Sequence, residues 1–442
     1  MRFIRLAAIL AIAAAVLAAG AWYCSGRGYG PRRKQALRQW AMSTQPGTAS
    51  RGPLQAGVYR VDITPHVGVP LGGYGARHGR PSRGVRDRIY ARALVLTNGR
   101  DKFAIVSCDL IGMGKSIRNR VLKRVRNRGF TSDNLLICAT HTHSGTGAMS
   151  PEVAGQIAVG RFDPEVTRLL ADALVAAVEG ADDALQPAKI GGGAADAPEY
   201  IANRRSEDPA SMTDPALTVV NVVTAQGKPL AVLCNYSAHA TCLGPDNMAP
   251  SADYPGYVQW VVENHLGGGA MCMFTAGAVG DQAPASPTGL SGSARIPEIG
   301  NGLANKAFQV LDTTTVSGEA ALAARTLEVR LPLTPLAAFA GTHTLVQAVA
   351  INDLLILAVP GEMAAEIGLR LKRRGVREMG FAHVAIVGLA NDHVGYILTP
   401  EQMGRGGYEA AISFYGPQLG PLMEEAVASA GLAVSRMMKP GG

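Results

Sequence analysis

Short apolar segments with the composition of β-strands alternate along most of the chain with segments of helical periodicity. Val58–Ile63 and Lys102–Cys108 are rich in aliphatic and aromatic residues, as strands are. Ser116–Arg128 and Glu165–Ala184 repeat apolar residues at helical spacing instead. Further strands are predicted at Tyr90–Leu96, Leu135–Thr140, Ala216–Val223, Pro229–Tyr236, Ala270–Thr275, Thr326–Leu331, His343–Ala350, Asp353–Val359 and His383–Leu389, and further helices at Tyr254–Asn264, Glu362–Arg374 and Leu422–Met437. This alternation predicts an α/β fold in which layered β-sheets are flanked by helices.

The predicted elements are not divided by any change in composition after residue 56, and no internal repeat is visible. We therefore expect one large domain over residues 56–442. Residues 24–55 are largely polar and lack apolar periodicity, so they are predicted to form a linker.

The N-terminus has the pattern of an export signal. Arg2 and Arg5 precede an apolar run from Leu6 to Tyr23, as the charged and hydrophobic regions of a signal peptide do. Ala19-Gly20-Ala21 offers a small-residue cleavage site, yet the run is also long enough to span a bilayer. Residues 1–23 are therefore predicted to be a signal peptide or a membrane anchor. Either alternative implies export to the periplasm or the extracellular space, with residues 6–23 as the anchor if the segment is retained.

The charge distribution argues against nucleic acid as a partner. The net charge is +8, but six of the basic residues and no acidic residue lie in residues 1–34. The remaining chain has 36 basic and 34 acidic residues and is close to neutral. A nucleic-acid-binding domain would need a basic surface, and aromatic residues for base stacking make up only 5% of the chain.

The six cysteines do not predict a metal or redox motif. None of them forms a C-x-x-C pair, and most lie in apolar strand-like segments. Although export permits disulfides, we expect buried free thiols.

Histidines follow two of the predicted strands. His141 and His143 come directly after Leu135–Thr140, and residues at i and i+2 of an extended chain point to the same side. His239 follows Pro229–Tyr236. Neutral imidazole is a preferred ligand of Zn²⁺, although surface, capping or buried structural histidines would give the same pattern.

Two further strands also end in polar residues. Glu362 follows a Pro-Gly turn and opens a predicted helix, where a carboxylate is favoured by the helix dipole or could be a metal ligand. Asp392, His393 and Tyr396 follow the strand at His383–Leu389. Periodicity alone does not choose among these three.

A glycine-rich segment, residues 277–284, surrounds Asp281. It lacks the Gly-Lys-Ser/Thr ending of a P-loop and suits a tight loop whose N–H groups bind an oxyanion. Asp281 is accordingly included among the predicted catalytic residues. The chain has no Gly-x-Ser-x-Gly, so no nucleophile elbow is expected.

Taken together and in order, these segments resemble the neutral ceramidase family of zinc-dependent amidases, from about Gly57 to Pro417. The most specific match is Ala139-Thr140-His141-Thr142-His143-Ser144-Gly145. The others are Gly57–Thr64, Gly72–Gly75, Ala91–Ala93, Asn235–Thr241, Pro360–Glu362, Gly395–Thr399, Tyr408–Ala410 and Tyr415–Pro417.

The resemblance implies Zn²⁺ bound by His141, His239, Glu362 and Tyr396. It places His143 beside the metal as a polarising or proton-transfer residue, and Arg204 as a residue that binds substrate. Zinc would activate water and polarise the amide carbonyl, and His143 would protonate the leaving amine.

The sequence departs from the family pattern at two places. Ala283 stands where the family has a serine in a Gly-Asp/Asn-x-Ser-Pro segment. The sequence also ends soon after the last predicted helix, which leaves no counterpart of the family's C-terminal immunoglobulin-like domain.

The predicted function is hydrolysis of the N-acyl bond of ceramide or a related N-acylated lipid at a membrane surface. One alternative is a hydrolase of the same fold acting on another amide or ester, such as an N-acylated sugar or amino acid. Another is a non-catalytic binding homologue.

Overall fold

The computed structural model describes residues 35–37, 39, 48–206, 208, 211–334, 337 and 340–439. The predicted signal or anchor segment lies outside the described residues. Within the described ranges, no helix is both long and apolar enough to cross a membrane.

The strands and helices of the described residues are numbered here in chain order. The strands are β1 Arg51–Pro53, β2 Gln55–Asp62, β3 Tyr90–Thr97, β4 Lys102–Cys108, β5 Leu135–Ala139, β6 Gln186–Asp196, β7 Ile201–Asn203, β8 Ala216–Thr224, β9 Pro229–Tyr236, β10 Met271–Ala276, β11 Gln282–Pro284, β12 Glu319–Arg330, β13 His343–Ile351, β14 Leu354–Ala358, β15 Glu362–Met363, β16 His383–Val387 and β17 Tyr396–Ile397. The α-helices are α1 Lys115–Val125, α2 Val153–Val159, α3 Pro164–Asp183, α4 Asp253–Leu266, α5 Arg295–Thr313, α6 Ala365–Arg377, α7 Pro400–Gly404, α8 Tyr408–Ala411 and α9 Leu419–Met438.

Two mixed sheets form the centre of the molecule. One has eight strands in the order β10-β9-β8-β6-β2-β3-β4-β5, and the other has five in the order β1-β12-β13-β14-β16. The pairs β4/β5, β9/β10 and β14/β16 are parallel. Two short pairs, β7/β11 and β15/β17, stand apart from these sheets.

Alternation along the strands builds a four-layer sandwich. Leu94 and Leu96 of β3 belong to a buried cluster with Leu322 and Ile356 of the second sheet, so the two sheets pack face to face. Residues on the opposite face of the eight-stranded sheet pack against α1 and α3 and against α4 and α5. The far face of the second sheet packs against α6 and α9. The predicted α/β class, with layered sheets flanked by helices in one domain, is confirmed.

Two predictions about elements need correction. Residues 51–53 lie inside the predicted linker but form β1, which pairs with β12. This is an edge strand with exposed residues and a proline, so it lacks apolar periodicity. Glu362 does not open a helix: it lies in β15, and α6 begins at Ala365.

Helix α5 and strand β6 were not predicted from the sequence. Helix α5 contains Gly300 and Gly302, which weaken a helical pattern. A Cβ at either position would lie within 2.5 Å of a tyrosine ring, that of Tyr257 or Tyr200. The two glycines that weaken the helical pattern are therefore needed for packing against these rings.

Candidate active site

The four predicted metal ligands come together where the strands of both sheets end. His141 follows β5 and His239 follows β9. The residues directly after them, Thr142 and Ala240, are joined by a parallel bridge. Glu362 and Tyr396 follow β14 and β16 and are register partners in β15/β17. The carboxyl ends of parallel strands are where open α/β sheets bind ligands.

His141 and His239 are fully buried, and each ring is oriented by a backbone carbonyl. Nδ1 of His141 lies 2.6 Å from the Ile111 oxygen, and Nδ1 of His239 lies 2.9 Å from the Gln282 oxygen. Because a carbonyl only accepts, each Nδ1 carries hydrogen. This leaves Nε2 of each neutral imidazole as a lone-pair donor. His141 has a left-handed backbone conformation, φ +66°, a strained geometry that clusters at functional sites.

The carboxylate of Glu362 meets both of these Nε2 atoms. Its Oε2 lies 3.2 Å from His141 Nε2 and 3.1 Å from His239 Nε2. Burial raises the pKa of Glu362, but its close neighbours His141, His239 and His393 outweigh burial and hold the pKa well below its usual range. Burial, together with Arg204 and His141, lowers the pKa of His239 to about 3. Three electron-pair donors therefore converge on one point, an arrangement that requires a positive charge between them.

The donor set fits a divalent metal. Two histidines and a glutamate are a known catalytic zinc set, and both imidazoles have the backbone partner that metal-bound histidines normally have. His141, His143 and His239 also have ligand atoms within 4.8 Å of one another. His143 is thus brought into the same cluster as the predicted ligands.

His143 differs from its neighbours because neither of its buried ring nitrogens has a hydrogen-bond partner. Burial, with the nearby His141 and His239, lowers its pKa well below the usual value. Its loop is held by Arg77, whose Nη1 donates to the His143 carbonyl at 2.5 Å. The ring centroid lies 4.7 Å from that of Tyr74. This is a neutral base in a fixed position beside the cluster.

Arg204 connects Tyr396 to the surrounding loops. Its Nη2 donates to the Tyr396 hydroxyl at 2.9 Å and to the Gly280 carbonyl at 3.1 Å, and its Nε lies 2.9 Å from Glu409 Oε1. Burial lowers the pKa of Arg204, but Tyr396, Glu362 and Glu409 raise it overall. Burial and Glu362 raise the pKa of Tyr396 well above its usual value, so the phenol is protonated at neutral pH.

Asp281 is placed at the start of α6. Its Oδ1 accepts hydrogen bonds from the Ala365 backbone at 2.9 Å and from Gln282 at 2.8 Å, and its Oδ2 accepts from Gln402 at 2.9 Å. Its carbonyl accepts from the backbone N–H of Arg204 at 2.8 Å. These contacts join the glycine-rich loop to helix α6 and to Arg204.

Two further residues lie at the site, His393 and Arg77, and neither was predicted to have a role there. His393 was one of three candidates, and its Nε2 lies 3.5 Å from Glu362 Oε1. Arg77 is 1% exposed and donates only to backbone carbonyls and the Ser144 hydroxyl. A buried arginine without a carboxylate partner has no sequence signature. His393 could have been predicted, because it follows a strand as the other residues of the site do.

Two cavities among the described residues, with volumes of about 790 and 520 Å³, are lined by residues outside this cluster. The chemistry of the side chains, and not cavity size, identifies the site. Fold and site together define an α/β protein with a candidate metal centre at the ends of its strands.

Comparison with known proteins gives the family. The profile of the neutral/alkaline non-lysosomal ceramidase N-terminal domain matches residues 54–293 and 299–423. The chain therefore belongs to this family, as the resemblance predicted.

Relatives and solved structures agree with this. The chain is 28% identical over 279 residues to neutral ceramidase of Drosophila pseudoobscura pseudoobscura, covering 57% of this chain and 39% of the relative. It is 26% identical over 239 residues to neutral ceramidase of Pseudomonas aeruginosa, covering 50% and 35%. The chain thus matches well under half the length of these relatives.

The fold is similar to the crystal structure of the Pseudomonas aeruginosa neutral ceramidase, with a TM-score of 0.78 and 21% identity over 87% of this chain and 75% of that chain. A structure of a ceramidase complexed with C2 gives a TM-score of 0.75, 21% identity and the same coverage.

Proposed function

We propose that this protein is a zinc-dependent amidohydrolase that cleaves the N-acyl bond of ceramide or a related N-acylated lipid into a fatty acid and an amine. His141, His239, Glu362 and Tyr396 would bind the Zn²⁺. The observation that carries the proposal is that the Nε2 atoms of His141 and His239 both lie within 3.2 Å of the same Glu362 oxygen, Oε2. Family membership supports the substrate class.

A zinc ion bound here would supply a Lewis acid for the substrate carbonyl and for a water molecule. The other chemistry belongs to the side chains. His143 is neutral, buried and without a hydrogen-bond partner on either ring nitrogen, so one nitrogen can take a proton from the attacking water. The same residue can then deliver that proton to the leaving amine.

Arg204 has two proposed roles. Its hydrogen bond to the Tyr396 hydroxyl orients that ligand. Because it stays charged and about a fifth of its side chain is exposed, it can also bind the oxygen of the acyl group as negative charge develops there. Asp281 supports Arg204, and through it Tyr396, because the Asp281 carbonyl accepts a hydrogen bond from the Arg204 backbone N–H.

A lipid substrate agrees with the predicted location. The charged and apolar pattern of residues 1–23 supports an exported protein, periplasmic or extracellular, that works at a membrane surface or is anchored in it by residues 6–23.

A second candidate is a hydrolase of another amide or ester. Ala283 favours it, because a methyl group replaces the hydroxyl that the family pattern has at this position. Ala283 pairs with Ala202 in the β7/β11 ribbon, so the change lies opposite a residue two positions before Arg204, the residue proposed to bind substrate.

The test is hydrolysis of a fluorescent short-chain ceramide by the purified full chain. We would compare the zinc-loaded protein, the chelated protein and the His141→Ala variant, with the exposed His343→Ala as the matched control. We expect turnover only with zinc, abolished in His141→Ala and unchanged in His343→Ala. Stoichiometric zinc without turnover would reject ceramide in favour of the second candidate. If the protein neither binds zinc nor hydrolyses ceramide, the proposal that it is an enzyme is rejected altogether.

A further inference from the structure

The two oxygens of Glu362 have different partners. Oε2 contacts the two histidines proposed to bind zinc, whereas Oε1 lies 3.5 Å from Nε2 of His393. His393 is not in the proposed ligand set, and its side chain is about a third exposed. His393 is therefore near Oε1, the oxygen that does not contact His141 and His239.

The backbone of His393 is fixed by a network of its own. Its N–H donates to Asp392 Oδ1 at 2.9 Å, and the next residue donates to the Pro360 carbonyl at 2.8 Å. Asp392 also accepts hydrogen bonds from the Lys115 backbone at 3.0 Å and from the Thr344 hydroxyl at 2.8 Å. Three other segments of the chain therefore fix the backbone position of His393.

The imidazole ring lies against Gly112. A Cβ at this position would lie 2.6 Å from His393 Cδ2, so only glycine leaves room for the ring. The preceding residue is Ile111, whose carbonyl orients His141. One short loop thus orients the histidine on one side of Glu362 and accommodates the histidine on the other side.

We propose that His393 is a positioning residue that holds Glu362 Oε1, so that the carboxylate presents Oε2 alone to the metal. This inference rests on the proposed function, because it assumes that the cluster binds zinc. A free carboxylate rotates easily about its last bond. A partner on the outer oxygen of a ligand orients it, and loss of such a partner costs roughly 10–100-fold in metal affinity.

The test measures zinc affinity of the full chain by competition with a chromophoric chelator, without any substrate. His393→Phe keeps the ring and removes the donor, and we expect it to weaken zinc binding by roughly 10–100-fold. His393→Gln restores an N–H donor and should recover much of that loss. His343→Phe, the same substitution at an exposed histidine, should bind zinc as the unchanged protein does.

Gly112→Ala is a second route to the same defect, because the added methyl group displaces the His393 ring. Its affinity should fall in the same direction, and combining it with His393→Phe should add little. Thermal unfolding of the metal-free variants checks that each is folded.

Equal zinc affinity in the unchanged protein, His393→Phe and Gly112→Ala would overturn the inference and leave the proposed function intact. Failure of the unchanged protein to bind zinc would overturn both.

Discussion

At the scale of single residues, the site is a set of buried groups whose protonation is controlled by their surroundings. His239 is wholly buried with one nitrogen bonded to a carbonyl, and its pKa is lowered to about 3. His143 is shifted in the same direction. Both imidazoles are thus neutral over the whole pH range in which free histidine would titrate, which is the state that a ligand or a general base requires.

These shifts predict acid destabilisation of the metal-free protein. The unfolded chain binds a proton at each histidine near pH 6.5, whereas folded His239 binds one only near pH 3. The free energy of unfolding should therefore be fully present above about pH 6.5 and fall by a few kcal/mol as the pH drops toward 3. Urea unfolding across this range measures the slope.

His239→Asn should make that slope shallower, and His343→Asn, at an exposed position, should leave it unchanged. Equal slopes in all three proteins would show that His239 does not titrate as its burial implies.

At the scale of elements, two very short pairings outside the long strands bring the residues of the site next to one another. The Thr142/Ala240 bridge brings His141 beside His239, and the β15/β17 pair brings Glu362 beside Tyr396. The strands before them could be predicted, and β4 and β9 were predicted with their observed limits. The pairings themselves could not, because two residues carry no periodicity. The register of Glu362 with Tyr396 is a tertiary property.

Helix α5 could not be predicted from the sequence for a related reason. Its two glycines are explained only by the tyrosine rings that pack on them. Gly300→Ala should lower the free energy of unfolding by about 1–3 kcal/mol, because the new methyl group would meet Tyr257 within 3.0 Å of its Cβ, close to the backbone. Gly302→Ala meets the far end of Tyr200 instead, which can swing away.

For Gly302→Ala we expect a change near zero, because the gain of about 0.5–1 kcal/mol in helix propensity offsets the displaced ring. Urea unfolding of the two variants side by side makes the comparison. Equal effects at both positions would contradict the packing explanation.

At the scale of the whole molecule, the site belongs to both sheets. His141 and His239 follow strands of the eight-stranded sheet, and Glu362 and Tyr396 follow strands of the five-stranded sheet. The class of fold and the identity of these residues could be predicted from the sequence, because strand ends and polar residues are local features. Their meeting could not, because it depends on how two sheets stack.

Metal binding should consequently stabilise the whole molecule and not one part of it. Zinc at about 100 times its dissociation constant should raise the free energy of unfolding by about 2.7 kcal/mol. We expect a single thermal transition that moves upward with zinc and returns after chelation, measured by calorimetry.

Glu362→Gln should lose most of this shift. A shift of the same size in Glu362→Gln and in His141→Ala would mean that zinc binds elsewhere on the protein.

Because the site draws on both sheets, its ligand residues are synthesised at widely separated times. His141 leaves the ribosome about 255 residues before Tyr396, which at roughly 5–20 residues per second is a delay of about 13–50 s. Until Glu362 follows, His141 and His239 have no carboxylate to meet, and the phenol of Tyr396 is made later still. The nascent chain is therefore expected to pass most of its synthesis without the complete ligand set and to acquire it only when the last strands are in place.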